Sequence, residues 1–206
     1  MIINQIWISD TPTPPLVLNR ARRNESKAFA AGFKYKFWEK SSIYRILEKD
    51  DRVRFDAIKN NIARCDFTRY HVLKRNNGIY IDMDDWMHFN SSHKNEYFIS
   101  RLRKGKGFIV NAILRIPEEV SDCVIKQARD FIDQRGVGDA RAIGIIPLRR
   151  CINAIEFKHR YIAMPGKELC SPGKNWQTSS ETSWKGQIDL WDEPKTMKEE
   201  LNEYRR

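Results

Sequence analysis

Apolar and polar residues change their spacing several times along the first forty positions of the chain. Residues 2–8 form a short apolar run typical of a strand, and the three prolines between positions 12 and 15 then exclude a helix. Residues 16–30, rich in alanine, arginine and lysine, indicate a helix, and residues 33–38 alternate aromatic with basic side chains, as in a strand with one buried face. A strand, a helix and a strand in this order predict a β-α-β unit with parallel strands.

The middle of the chain is predicted to be mainly helical. Helices are expected over residues 43–48, 52–60 and 63–74, and the last of them has apolar positions at helical spacing. An Asn-Asn-Gly segment ends this helix, because Asn and Gly tolerate the left-handed conformation of a helix C-cap. A short strand of the buried type follows over residues 79–81.

The second half of the chain alternates strands with helices. Strands are expected over residues 96–100, 107–114 and 161–164. One helix is expected to begin at Pro117 and to end at the glycines just after residue 135, and another is expected over residues 140–154.

The composition fits one domain with its own core. The chain has 206 residues, of which 41% are hydrophobic, and a chain of this size can bury a core without disulfides or metals. No repeat or linker interrupts the pattern, so residues 1–206 are expected to form a single domain. Residues 194–206 are expected to be a charged C-terminal helix prone to fraying.

The cysteines and the hydropathy pattern bear on the compartment. Four cysteines lie far apart, which excludes a CxxC metal site and argues against a disulfide framework, so reduced thiols are expected. No signal peptide is apparent, and no apolar run approaches the ~20 residues of a membrane helix. The sequence therefore predicts a soluble cytoplasmic protein, with peripheral membrane contact left open.

The charge balance bears on the partners. Lysine and arginine number 37 against 27 aspartates and glutamates, which gives a net charge of +10. A basic protein is suited to a partner rich in phosphate, whether a nucleotide sugar, a nucleic acid or an anionic membrane surface. Charge alone does not choose among these partners.

Two aspartates come directly after the central strand. Because side chains two apart in an extended segment point the same way, Asp82 and Asp84 are expected to reach one cleft at the carboxyl end of the strand. Carboxylates suit Mg²⁺ or Mn²⁺, and such an ion can stabilise the charge on a departing diphosphate. An Asp-x-Asp pair is common by chance, however. The preceding helix adds Asp66 and Arg69, which share one of its faces and are suited to bind sugar hydroxyls and phosphate.

These segments together resemble a known signature. The chain reads Asp66-x-x-Arg69-Tyr70-x-x-Leu73 and then Asn77-Gly78-Ile79-Tyr80-Ile81-Asp82-Met83-Asp84. This resembles the DXD-containing sugar-binding glycosyltransferases, which include the mannosyltransferases that initiate glycan outer chains and are related to the large glucosylating toxins. Cys65 stands where that family usually has serine, and Asn77 where it has the first of two glycines.

Weaker likenesses extend along the chain. Residues 3–8 resemble the family's opening strand, with Asn4 in place of the usual histidine, and residues 107–111 resemble a strand ending in asparagine. Residues 180–184 resemble the closing Ser-Trp loop, which folds over the donor in the family.

The resemblance implies a role for each matching residue. The implied catalytic residues are Asp66, Arg69, Asp82 and Asp84. The implied donor-binding residues are Trp7, Tyr80, Asn111 and Trp184. The implied metal ligands are Asp84, Asp82, Glu181 and Ser183.

The resemblance also implies a fold and a reaction. The fold would be a GT-A type, Rossmann-like α/β fold with a mostly parallel central sheet. The reaction would be a metal-dependent transfer with retention of configuration, using Mn²⁺ or Mg²⁺ and a nucleotide-sugar donor, with a UDP-sugar expected over a GDP-sugar. The resemblance leaves the acceptor open: a glycan, a lipid-linked sugar, a protein, or a nucleic acid, which the basic charge of the chain makes worth testing.

Two alternatives remain open at this point. A phosphohydrolase of the haloacid dehalogenase type also places Asp-x-Asp after an apolar strand, but its motif usually opens the domain. A non-enzymatic nucleic-acid-binding protein would explain the basic charge and the aromatic residues of the second strand.

Overall fold

One mixed sheet organises the residues that the computed structural model describes, which are 1–83, 85, 89–102, 109–135 and 143–164. Its strands are β1 (Ile2–Trp7), β2 (Lys34–Glu39), β3 (Ile79–Ile81), β4 (Tyr97–Leu102), β5 (Ile109–Arg115) and β6 (His159–Met164). They lie in the order β2-β1-β3-β5-β4-β6. β1 pairs in parallel with β2 and β3, and β4 pairs in parallel with β6, whereas β5 is antiparallel to both of its neighbours. The predicted α/β fold with a mostly parallel sheet and an opening parallel β-α-β unit is confirmed.

Helices cover both faces of this sheet. They are α1 (Pro15–Ala30), α2 (Lys40–Ile46), α3 (Lys49–Ala57), α4 (Asn61–Asn76), α5 (Glu118–Arg135) and α6 (Ile145–Ala154), with a short 3-10 helix over Ser91–Lys94. α1 packs on one face of the sheet, through Ala28 against Ile3 and Phe33. α4, α5 and α6 share the larger core on the other face. Within the described ranges the predicted elements are present, with bounds that differ by a few residues. β6, for example, begins two residues before the predicted strand. The helix predicted over residues 194–206 lies outside those ranges.

Local chemistry sets both ends of α4. The Asn60 side chain accepts hydrogen bonds from the backbone of Ile62 (2.7 Å) and Ala63 (3.2 Å), as an N-cap does. Asn77 ends the helix in the left-handed conformation, with φ 46°. A side chain at Gly78 would place Cβ 2.5 Å from the backbone oxygen of Ile2, so only glycine lets β3 start this close to β1. α4 is thereby fixed across the sheet, with its middle turns buried.

A disulfide joins α5 to α6. Cys123 and Cys151 are bonded, with a Cα–Cα distance of 5.9 Å, so the prediction of reduced, unpaired cysteines is wrong for these two residues. The two helices pack side by side and bring together residues 28 apart in sequence, which spacing along the chain does not show. Cys65 is a free thiol.

Within the described ranges, no helix combines the length and the apolar character needed to cross a bilayer.

Candidate functional site

A cavity of 190 Å³ opens at the carboxyl edge of the sheet. β1 and β3 end there and β5 begins there, because β5 runs opposite to its neighbours. α4 closes one side. The walls include Trp7, Asp66, Arg69, Tyr80, Asp82 and Asn111. The structure thus brings together six residues that the sequence singled out, at the place where open α/β sheets bind ligands.

The guanidinium of Arg69 lies at the centre of these residues. Arg69 is only 3% exposed, and it contacts Asp66 Oδ1 at 2.5 Å and Asp82 Oδ1 at 3.2 Å. It also donates to the backbone oxygen of Asn111 at 2.5 Å and lies over the Tyr80 ring at 4.5 Å. Burial alone would lower the pKa of Arg69, but the charges of Asp66 and Asp82 outweigh it and hold that pKa well above its usual value. The cation is therefore permanent, and it fixes both carboxylates.

Asp66 is held from a second direction. The Asn111 side chain donates to Asp66 Oδ1 at 2.8 Å, on the same oxygen that Arg69 contacts. Asp66 is 8% exposed, and a buried carboxylate is stable only when it is paired and hydrogen-bonded in this way. One carboxylate and one amide are thereby presented together on the cavity wall.

Asp82 is fixed through both its side chain and its backbone. The Tyr80 hydroxyl donates to Asp82 Oδ1 at 2.8 Å, and burial raises the pKa of Tyr80 well above its usual value, so this hydroxyl remains a donor. The backbone oxygen of Asp82 accepts from Gln5 Nε2 at 2.9 Å, and the backbone N–H of Asp82 donates to the backbone oxygen of Ala112 at 2.7 Å. The position of Asp82 is therefore set from three strands.

Gln5 supports the site by holding Asp82, and the sequence pattern gave it no role. Besides holding Asp82, it accepts hydrogen bonds on Oε1 from Asn24 (2.8 Å) and from the Tyr35 hydroxyl (2.8 Å), and it is fully buried. The sequence signal that could have pointed to Gln5 is a polar amide inside the apolar run of the first strand, two positions before Trp7. Gln5 links α1 and β2 to the carboxyl end of β3.

Asn4, which replaces the family's usual histidine, has a structural position. Its Oδ1 accepts from Trp38 Nε1 at 2.9 Å, and its Nδ2 donates to the backbone oxygen of Ile79 at 3.1 Å. The side chain is fully buried between β2 and β3. The replacement therefore satisfies buried groups beside the cavity without contributing to its wall.

Trp7 both lines the cavity and belongs to a small core. It is 6% exposed and packs with Val17, Ala21 and Met83. The wall at this end is therefore apolar. Stacking of Trp7 on a nucleobase remains a prediction.

The thiol of Cys65 also lines the cavity. Burial raises the pKa of Cys65 to about 12, despite the opposing charge of Arg69. The thiol is therefore protonated at neutral pH and is suited to packing rather than to nucleophilic attack.

Four of the predicted site residues lie outside the described part of the chain: Asp84, Glu181, Ser183 and Trp184. Among the residues that are described, no three histidine, cysteine, aspartate or glutamate side chains cluster as a metal site would require. The metal set predicted from the sequence accordingly has one described member, Asp82.

Comparison with known proteins bears directly on this cavity. Residues 16–98, which include Asp66, Arg69 and Asp82, match the family described as "Glycosyltransferase sugar-binding region containing DXD motif". The match covers residues 16–98, which are less than half of the chain. The resemblance predicted from the sequence is thereby confirmed.

A curated relative is also similar to part of this chain. An uncharacterized glycosyltransferase of Acanthamoeba polyphaga mimivirus is 36% identical over 87 residues, which are 40% of this chain and 34% of that protein. The chain thus spans about a third of the length of this relative.

A solved structure shares the fold around residues 16–98. The structure described as "PaToxG Glycosyltransferase" is similar with a TM-score of 0.52 at 14% identity, over 74% of this chain and 68% of that chain. A glycosyltransferase involved in the glycosylation of the major capsid of PBCV-1 gives a TM-score of 0.44 at 11% identity, over 80% of this chain and 82% of that chain. The first likeness, with the sheet order, confirms the predicted glycosyltransferase fold of the GT-A type.

Proposed function

We propose that this protein transfers a sugar from a nucleotide-sugar donor to an acceptor hydroxyl with the help of a divalent cation. The observation that carries the proposal is the buried Asp66–Arg69–Asp82 group around one cavity, inside the segment that matches the sugar-binding region. The family match favours transfer over the phosphohydrolase and nucleic-acid-binding alternatives. A UDP-sugar is the favoured donor and a glycan or protein the favoured acceptor, with nucleic acid as the alternative acceptor.

The walls of the cavity indicate how a donor would lie. At 190 Å³ the cavity is smaller than the roughly 300–1,000 Å³ of sites for drug-sized ligands, so the described walls form only part of a nucleotide-sugar site. Asp66 and Asn111 offer a carboxylate and an amide to sugar hydroxyls, and Trp7 offers an apolar surface to the nucleobase. We therefore place the sugar between Asp66 and Asn111 and the base towards Trp7.

The Asp82 carboxylate on the cavity wall is suited to be one ligand of a hard divalent cation. Both described contacts of the Asp82 carboxylate, from Tyr80 and Arg69, use Oδ1, and the side chain is 17% exposed. Two carboxylates face one guanidinium, which leaves the described cavity with a negative balance that attracts a cation.

The proposed ligands of Mn²⁺ or Mg²⁺ are Asp82 and Asp84, completed by Glu181 and Ser183. When bound, the ion stabilises the charge on the departing diphosphate.

Retention of configuration is part of the proposal. The bond from the anomeric carbon to the phosphate oxygen breaks, the bond to the acceptor oxygen forms on the same face, and the acceptor proton passes to the departing phosphate. This scheme needs no protein base. In its support, none of the described histidines lines the cavity. Arg69 holds Asp66 and Asp82 in place throughout, because its charge is permanent.

A donor screen tests the proposal. The purified chain is incubated with UDP- and GDP-sugars and Mn²⁺ or Mg²⁺, and released nucleotide is measured. We expect release with at least one donor, loss of release in Asp82→Asn and Asp84→Asn, and unchanged release in the control Asp56→Asn, whose carboxylate pairs with Tyr44 away from the cavity. Absence of release with every donor, or full release by Asp82→Asn, would contradict it.

A further inference from the structure

The start of α6 lies directly behind the Asp66 carboxylate. Gly144 precedes the first residue of α6, and a Cβ placed on it would lie 2.8 Å from Asp66 Cγ and 3.0 Å from Asn111 Nδ2. Real Cβ atoms do not approach other atoms this closely, so any side chain at position 144 would have to displace Asp66 or Asn111. Glycine is therefore required here by close contact, since its φ of −110° suits other residues too.

Tyr70 fixes this contact from the side of α4. Its hydroxyl donates to the backbone oxygen of Gly144 at 3.1 Å, and the residue is only 1% exposed. Burial raises the pKa of Tyr70, so the hydroxyl remains a donor at every physiological pH. Tyr70 directly follows Arg69 in α4. The same helical turn therefore pairs Arg69 with the Asp66 carboxylate and bonds Tyr70 to Gly144, which lies behind that carboxylate.

Other contacts hold α6 in this position. Arg149 donates to the backbone oxygen of Ile109 at 2.9 Å, two residues before Asn111. Further along α6, Cys151 is bonded to Cys123 of α5. α6 is thus attached to α4, β5 and α5, and its amino-terminal end, which carries a partial positive charge, adjoins a carboxylate.

We propose that Gly144 and Tyr70 are positioning residues that form the rear wall of the donor-sugar subsite. The wall sets the place of Asp66 and Asn111, and so the depth available to the sugar. This inference rests on the proposed function, because it assigns the sugar end of the donor to Asp66 and Asn111. It predicts that changes at Gly144 and Tyr70 affect recognition of the sugar and leave recognition of the nucleoside diphosphate intact.

Two variants and a matched control test the inference. Dissociation constants of UDP and GDP are measured by calorimetry with Mn²⁺, beside those of UDP-glucose, UDP-N-acetylglucosamine and GDP-mannose. For the nucleotide sugar that the wild type prefers, we expect Gly144→Ala to raise the dissociation constant by about tenfold and Tyr70→Phe by about threefold. The constants of the free diphosphates should stay within about twofold of wild type, as should all constants of the control Tyr44→Phe, whose exposed hydroxyl pairs with Asp56.

Each outcome bears on the inference. Loss of sugar-dependent affinity in Gly144→Ala and in Tyr70→Phe supports it, and Tyr70→Phe alone suffices if Gly144→Ala does not fold. Equal weakening of nucleotide sugar and diphosphate in both variants would show a general structural role and would overturn it. Unchanged constants in both would overturn it as well, while the proposed function would stand. A wild type that binds no nucleotide sugar would overturn the proposed function and this inference together.

Discussion

A buried histidine on α4 is expected to make the protein less stable at mildly acidic pH. His71 packs edge-on against the Phe67 ring, with centroids 4.9 Å apart, and its side chain is 9% exposed. Burial lowers the pKa of His71 from 6.5 to about 4. Asp51, 3.8 Å away, opposes this effect, and the cation of Arg129 adds to it.

The direction of the pH effect follows from these two pKa values. Well above pH 6.5 the imidazole is neutral in the folded and the unfolded chain, so the full stability is present. As the pH falls from 6.5 towards 4, the unfolded chain binds a proton that the folded chain does not, and stability is lost. The loss contributed by His71 amounts to about 3 kcal/mol below pH 4 and about 2–3 kcal/mol at pH 4.5.

Urea unfolding of wild type and His71→Phe at pH 7.5 and pH 4.5 measures this contribution. Phenylalanine keeps a ring against Phe67 but does not titrate, so the variant serves as the reference for every other acid-sensitive group. We expect the wild type to lose about 2–3 kcal/mol more than the variant between the two pH values. An equal loss in both proteins would contradict this prediction, because it would show that His71 is not held neutral in the folded chain.

Three further predictions concern the site and its support. Arg69→Met is expected to lower the free energy of unfolding by about 3–5 kcal/mol, because it leaves Asp66 and Asp82 buried without their cation, and urea unfolding measures this. Tyr80→Phe should weaken Mn²⁺-dependent donor binding by about tenfold in calorimetry, because Asp82 loses a charged hydrogen bond, and wild-type affinity would contradict the assigned contact. Cys151→Ser should lower the free energy of unfolding by about 3–4 kcal/mol, since the disulfide closes a loop of 28 residues, and the same loss should appear in wild type under reductant. Equal stability with and without reductant would count against the bond.

Much of the fold could be predicted because its signals are local. The apolar run of β1, the proline turn after it and the alternation of β2 specify a β-α-β unit before any tertiary contact is known. The spacing of three residues between Asp66 and Arg69 placed them on one face of α4, and the structure shows them paired at 2.5 Å.

The supporting contacts could not be predicted, because they join residues distant in sequence. Gly144 lies 78 positions from Asp66, and nothing in the local pattern of α6 indicates that its first turn must accommodate a carboxylate. Gln5 looks like one polar residue in an apolar strand, and its contact with Asp82 depends on the parallel pairing of β1 with β3. The Cys123–Cys151 bond likewise depends on two helices lying side by side.

A crystal structure of the protein with Mn²⁺ and the nucleotide sugar selected by the donor screen would test the proposed donor site. We expect the sugar to lie within hydrogen-bonding distance of Asp66 and Asn111, and the diphosphate and the cation to lie against Asp82. A donor bound elsewhere on the protein, or a sugar outside the cavity beside Arg69, would contradict this expectation.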